Sequence, residues 1–254
     1  HWLGPMKFYM DGSLICGTAV FEEPYGHHGE ISGLFYWEPD EMSRMVGDAH
    51  RRGWQVGNHT QGDRAIDAVL DAIEAAMEAN PRPDPRHRIE HCGYPRPDQL
   101  QRMARLGVIA INQPNYLHDQ GDEFLARLGD RAQRLIPMRD EIEAGVAIAL
   151  SSDADVTSFN PLETITNAVV RRTIGGRDIG AAQALTVEEA IRAHTIGAAH
   201  AIHAEDRLGS IEVGKYADIT VIDGDPFALD PVEIRHLPIW MTVLGGEIVH
   251  GGPA

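Results

Sequence analysis

The chain has 254 residues, 43% of them apolar and 24% charged, the profile of a globular protein with a sizeable core. Its net charge of −16 is spread along the sequence and argues against a nucleic-acid partner. No apolar run nears the roughly 18 residues that a membrane crossing needs, and the two cysteines, Cys16 and Cys92, make no disulfide framework, so a reducing, cytoplasmic compartment is expected.

Taken in chain order, the first predicted strand spans 6–10 and carries Lys7. A Gly- and Pro-bearing stretch over 17–40, with Tyr25, His27, His28, Phe35, Tyr36 and Trp37, reads as an active-site lid or an ordered connector. A strand over 54–59 ends in His59. The helix predicted over 63–78 places Ile66, Val69, Leu70, Ile73 and Met77 on one face, and Asp63 suits its first turn. A strand over 87–91 ends in His91, and a helix over 97–106 stops at Gly107. The strand over 108–113 leads to Asn115, Tyr116 and His118, and that over 146–151 leads to Asp153.

Two more helices follow, over 161–171 behind Asn160-Pro161 and over 187–201 behind a Thr186-x-x-Glu189 capping box. Then the pattern changes. Residues 208–222 and 239–249 read as short β segments broken by Gly, with no helix between them, joined by the Asp-Pro-rich stretch 223–238. The expected organisation is a partial (β/α) barrel over 1–205 and strands of a small β-sandwich over 206–254.

Lys7, His59, His91 and Asp153 each close a predicted strand, at separations of 52, 32 and 62 residues. One strand-plus-helix unit takes about 30 residues or more, so His59 to His91 is one unit and His91 to Asp153 two. Side chains at the ends of successive parallel strands are how a (β/α) barrel builds its active site. Imidazoles with a carboxylate suit Zn²⁺ and neighbouring divalent metals, and Asp153 could both ligate and take a proton from an attacking water. Lys7 has two readings. Burial would make it a neutral amine able to take up CO₂ as a bridging carbamate; otherwise it is an edge-strand lysine that blocks edge pairing.

The lysine strand with Asp-Gly (Lys7 to Gly12) is followed by His-x-x-Gly-Asp-Arg-Ala-Ile-Asp (His59 to Asp67) and Ile-Glu-His (Ile89 to His91). Gln113-Pro114, Ser152-Asp153 and the closing run Leu208 to Phe227 complete the set. Together these resemble the second half of the amidohydrolase superfamily, in its N-substituted formamide deformylase-like branch. The resemblance implies a (β/α)₈ TIM barrel of the metal-dependent hydrolase type, with strands four to eight present, plus part of a β-sandwich. It further implies a carboxylated Lys7 bridging two divalent ions, Zn²⁺ being the kind expected, with His59 and His91 on one ion and Asp153 on the other as proton shuttle. The implied reaction is hydrolysis of a C–N bond in a non-peptide amide, a small-molecule substrate; a deaminase, an ester hydrolase or a non-catalytic truncated member are the alternatives.

One element of that pattern is absent. The family's first two ligands form a His-x-His pair, and none occurs here; His27-His28 is adjacent and follows the lysine strand. The expectation is therefore half of an active site, completed by the missing N-terminal half or by a second copy in a homo-oligomer, with these 254 residues alone inactive. Asn115, Tyr116 and His118 are the candidate substrate contacts. Glu90 is expected on the face opposite His91, paired with Arg88 or with a helix residue. Asp155 is a candidate support for Asp153, and His50, His87, His194, His200, His203, His236 and His250 are read as surface or packing residues.

Overall fold

The structure is a computed structural model that describes residues 3–252. Five parallel strands form one sheet in sequence order: β1 (Met6–Tyr9), β2 (Val56–His59), β3 (Arg88–Glu90), β4 (Ile109–Asn112) and β5 (Ile148–Leu150). Each lies within its predicted span. Between and after them run α1 (Pro39–Arg51), α2 (Asp63–Ala79), α3 (Pro97–Leu106), α4 (Asn115–Asp119), α5 (Gly121–Leu128), α6 (Met138–Glu143), α7 (Pro161–Val170), α8 (Val187–Arg192) and α9 (Ala198–Ala201).

Strand periodicity separates two faces. Val56, Ile89 and Ala110 point outward and pack with Ile66, Val69, Leu70 and Ile73 of α2 and with Leu100 and Met103 of α3. Each such side chain, fully buried, contributes about 1.5–3 kcal/mol. On the inner face, parallel register sets Lys7, Gly57, Arg88 and Ile109 side by side, with Tyr9, His59, Glu90 and Ile111 as the next row. β1 and β5 are the edges of this sheet.

The predicted caps form. Asn160 Oδ1 accepts from the Leu162 amide at 3.0 Å, and Thr186 and Glu189 exchange both capping-box hydrogen bonds. The predicted helix over 187–201 is not continuous, because a π-helical turn, Ala193–Gly197, separates α8 from α9. There Gly197 lies against the carbonyl of Ile148, where a side chain would collide. Helices α1 and α4 to α6 had no sequence expectation of their own.

The stretch 17–40 is an ordered connector. Tyr25 bridges Ile31, Phe21 and Tyr25 are buried, and Arg131 donates to the carbonyls of Glu23 and Pro24. The C-terminal region forms an antiparallel sheet of β6 (Ile219–Ile222), β7 (Ile239–Leu244) and β8 (Glu247–Gly251). Two expectations fail here. Residues 208–218 are turns rather than strand, and a 3-10 turn, Pro231–His236, lies between the β segments. That turn is held by Asp230, which caps it, and by Ile234, buried with Leu162 and Ile165 of α7.

Candidate metal centre

The four strand-end residues face one cavity of about 440 Å³, lined by Lys7, His59, His91 and Asp153 together with Tyr9, Gln61 and Tyr116. His59 and His91 meet edge to face with ring centroids 4.4 Å apart, and Tyr9 stacks on His59 at 4.9 Å. His91 reaches this face because its backbone leaves the strand at φ 76°, followed by Cys92 at 44°. Non-glycine residues seldom adopt such angles, and they occur where a site over-determines them. Strand alternation is broken there. Glu90 consequently lies on the same inner face as His59, correcting the expectation that it turns away; it does pair with Arg88, at 2.6 Å.

The electrostatics favour imidazoles as ligands. Burial lowers His59 to about 4 and His91 well below its ordinary value, so both are neutral at pH 7. His59 Nε2 lies 3.2 Å from the Gly12 carbonyl, which can only accept, so Nε2 carries the proton and Nδ1 keeps its lone pair. His91 Nδ1 is buried without a hydrogen-bond partner, an unused donor or acceptor of the kind a bound group satisfies. Among the described residues, no three His, Cys, Asp or Glu side chains converge as a metal cluster.

Lys7 departs from its buried reading. It stands exposed on edge strand β1, although the surrounding protein lowers its amine by desolvation, opposed by the charges of Glu90 and Asp153. Its Nζ lies 5.1 Å from the Tyr9 ring centroid. Asp153 follows β5 at φ 55° and accepts a hydrogen bond from the Tyr116 hydroxyl.

The three candidate substrate contacts divide. Tyr116 lines the cavity. Asn115 does not: its buried amide donates to Thr157, Thr164 and the Ser158 carbonyl and accepts from Asn167, tying the loop after β5 to α7. His118 is bonded to the Arg172 carbonyl and also lies outside the cavity lining. Asp155 is exposed, and Asp63 accepts from the amides of Glu22 and Arg64, anchoring the connector rather than reaching the site.

The amidohydrolase family profile matches residues 3–250. This chain belongs to the amidohydrolase family. It is 34% identical over 251 residues to the putative amidohydrolase YtcJ of Bacillus subtilis (strain 168), covering 97% of this chain and 47% of that protein. It is 33% identical over 247 residues to an N-substituted formamide deformylase of Arthrobacter pascens, covering 96% and 45%. Among solved structures, an uncharacterized metal-dependent hydrolase from Pyrococcus horikoshii OT3 superposes with a TM-score of 0.80 at 28% identity, covering 90% of this chain and 46% of that one. The chain thus spans about half the length of the curated relatives it matches. Among the described residues of this amidohydrolase, no helix is long and apolar enough to cross a membrane.

Sequence reasoning had missed four polar residues of the cavity, Tyr9, Ser13, Gln61 and Gln120. A signal existed for Tyr9 and Gln61. Each stands two positions beyond a singled-out residue, Lys7 or His59, where strand periodicity returns a side chain to the same face. The apolar lining, from Leu14 to Cys16 and from Leu117 to Ile136, left no comparable sign, because loops bring it to the cavity.

Proposed function

We propose that these residues form the lysine side of a binuclear metal centre in a hydrolase that cleaves a C–N bond of a non-peptide amide. Lys7, His59 and His91 would hold one divalent ion, zinc by the chemistry of the donors, once Lys7 is carboxylated by CO₂. Asp153 would face the second ion, whose further ligands, a His-x-His pair by family resemblance, would come from outside these residues. The observation that carries this reading is the pair of neutral imidazoles 4.4 Å apart in a cavity that Lys7 and Asp153 also line. A lysine carbamate would supply the third donor that the His, Cys, Asp and Glu side chains do not.

Such ions, when bound, supply Lewis acidity toward a carbonyl oxygen and lower the pKa of a water nucleophile. The protein's part is orientation and proton transfer. The Gly12 carbonyl fixes the tautomer of His59, and Tyr116 holds Asp153 where it can take the water's proton and pass it to the leaving nitrogen.

Metal analysis of the intact protein, with mass mapping of the peptide containing Lys7, tests the proposal. Two divalent ions per chain and a CO₂ adduct on Lys7 are expected, both lost in His91→Ala. A protein that stays metal-free with unmodified Lys7 in metal-replete medium overturns it.

A further inference from the structure

Gln113, of the Gln113-Pro114 motif, does not line the cavity, and it is buried. Strand alternation through Ile109 and Ile111 makes Gln113, just past the end of β4, the next inward position. Its backbone is held on both sides. The Gln113 carbonyl accepts from the Tyr116 amide at 3.1 Å, and the Asn112 carbonyl before it accepts from the Ser151 amide at 3.0 Å. The side chain is held as well, its NH₂ group donating to Ser151 Oγ at 2.8 Å. What remains is Oε1, buried with no hydrogen-bond partner.

His91 has the complementary need. Its Nδ1 is sealed in the protein without a partner, which leaves Nε2 as the ring nitrogen toward the cavity that His91 lines. Burial, with His59 and Lys7 close by, disfavours the charged ring, and Gln113 acts against them by accepting from it. The side-chain carbonyl of Gln113 and the imidazole of His91 are therefore neighbours, and each offers the partner that the other lacks.

A neutral imidazole keeps one proton on one of its two nitrogens, and the hydrogen bond at one nitrogen decides the state of the other. With a carbonyl facing it, Nδ1 must donate, so the lone pair stays on Nε2. Turned over, the Gln113 amide would present an N–H to Nδ1. The proton would then sit on Nε2 and close that nitrogen to a cation. Ser151 Oγ, by accepting from the Gln113 NH₂ group, holds the amide in the first orientation.

We propose that Gln113 is a positioning residue for His91: its side-chain carbonyl accepts the Nδ1 proton and so keeps the Nε2 lone pair open to the cavity. Ser151, two residues before Asp153, holds that carbonyl in place, and one amide thereby ties the segment of His91 to the segment of Asp153. The inference rests on the hydrolase reading only for the ion that Nε2 would meet; the tautomer itself is independent of it.

The experiment reads the tautomer directly. The intact protein is labelled with ¹⁵N in its histidine rings, freed of metal by a chelator and observed by NMR above the ordinary imidazole pKa, at about pH 8. Signals of His91 are assigned by their loss in His91→Gln. Wild-type His91 is expected to show a pyrrole-type Nδ1 and a pyridine-type Nε2. Gln113→Leu removes the acceptor at similar bulk. There the proton of His91 should move to Nε2, and Zn²⁺ affinity, measured by chelator competition, should fall about 10- to 100-fold. Gln113→Glu restores an accepting oxygen and should return the Nδ1 proton. His59, bonded to the Gly12 carbonyl, should keep its Nε2 proton in all three proteins.

A pyridine-type Nδ1 on wild-type His91 overturns the proposal, and that measurement decides even where a variant does not fold. So does a tautomer or a Zn²⁺ affinity left unchanged by Gln113→Leu, or no recovery of the Nδ1 proton in Gln113→Glu. The two readings fail separately. The expected tautomers in a protein that takes up no metal leave Gln113 its role and remove the metal centre; two bound ions with the tautomer unmoved in Gln113→Leu do the reverse.

Discussion

The hydroxyl of Tyr116 donates to Asp153 Oδ2 at 2.5 Å, linking the segment after β4 to the segment after β5 across the cavity. The phenol donates and a carboxyl oxygen accepts, so the contact holds the Asp153 side chain aimed inward. Burial and the adjoining carboxylate both push the phenol above its ordinary pKa, which keeps the proton on Tyr116. A hydrogen bond to a charged group is worth about 1.5–3 kcal/mol. Tyr116→Phe is therefore expected to lower kcat by about 10- to 100-fold with little change in KM and little change in Tm. Steady-state kinetics checks this; a raised KM at unchanged kcat would make Tyr116 a substrate contact instead.

Asp11 is the anchor on which the first barrel loop turns. Its carboxylate is fully buried and accepts from Val20, Gln61 and Gly62. Gly62 must be glycine for this approach, since a Cβ there would lie 2.0 Å from the Val20 carbonyl oxygen. Burial pushes the carboxyl up to about 7 even against those three donors. Asp11→Asn keeps the size but replaces one accepting oxygen with a donor, facing an amide with an amide. The expected cost is about 2–4 kcal/mol, measured as a shift of the urea midpoint without a change in slope.

His50 and His87, expected at the surface or in packing, form a buried pair, Nδ1 to Nε2 at 2.7 Å. The Val56 amide donates to His87 Nδ1, so His87 Nε2 carries the proton given to His50, and His50 Nε2 donates to the Asn80 carbonyl. Every proton along this run of hydrogen bonds is thereby assigned. Burial, with His50 and Arg82 close by, lowers His87 from 6.5 to about 3, so the unfolded chain binds more protons across that window. The contribution of His87 to stability is full above about pH 6.5 and falls as pH drops toward about 3, by about 1.4 kcal/mol per pH unit. Burial raises Asp11 and Glu141 to about 7, which acts in the opposite direction. The comparison is therefore between wild type and His87→Gln, which should lose stability less steeply between pH 6 and pH 4 in denaturant titrations (window set by the shift above).

Arg171 is a buried cation with a structural task. Burial lowers its guanidinium to about 9, partly offset by the charge of Glu141, and three carbonyls, of Leu135, Ile136 and Ile179, accept its protons. Arg171→Met fills similar space but strands those acceptors. It is expected to destabilise the protein by about 3–5 kcal/mol and to speed amide exchange at Ile136 ahead of the amides of β2 and β4. Uniform exchange throughout would show that Arg171 supports the whole fold and not the segment of Leu135 and Ile136 in particular.

Much of this protein is written in local sequence. Apolar runs of strand length fixed where β1 to β5 lie, and the 3.6-residue period with Gly107, Asn160 and Thr186 at the ends fixed α2, α3 and α7 and the start of α8. Such signals are legible because each depends on residues within a turn or two of one another. The strand-end positions of His59 and His91 follow from the same alternation, as does the pairing of Arg88 with Glu90. Tertiary structure decided what depends on distant neighbours. Lys7 is exposed because β1 is a sheet edge; Glu90 and His91 share a face because the backbone turns at φ 76°; Asn115 points away from the cavity because Thr157, Thr164 and Asn167 meet its amide. The apolar lining of the cavity is the extreme case. Leu14 and Leu135 lie far apart in the chain and meet at one cavity only through the tertiary fold, so no local pattern could announce it.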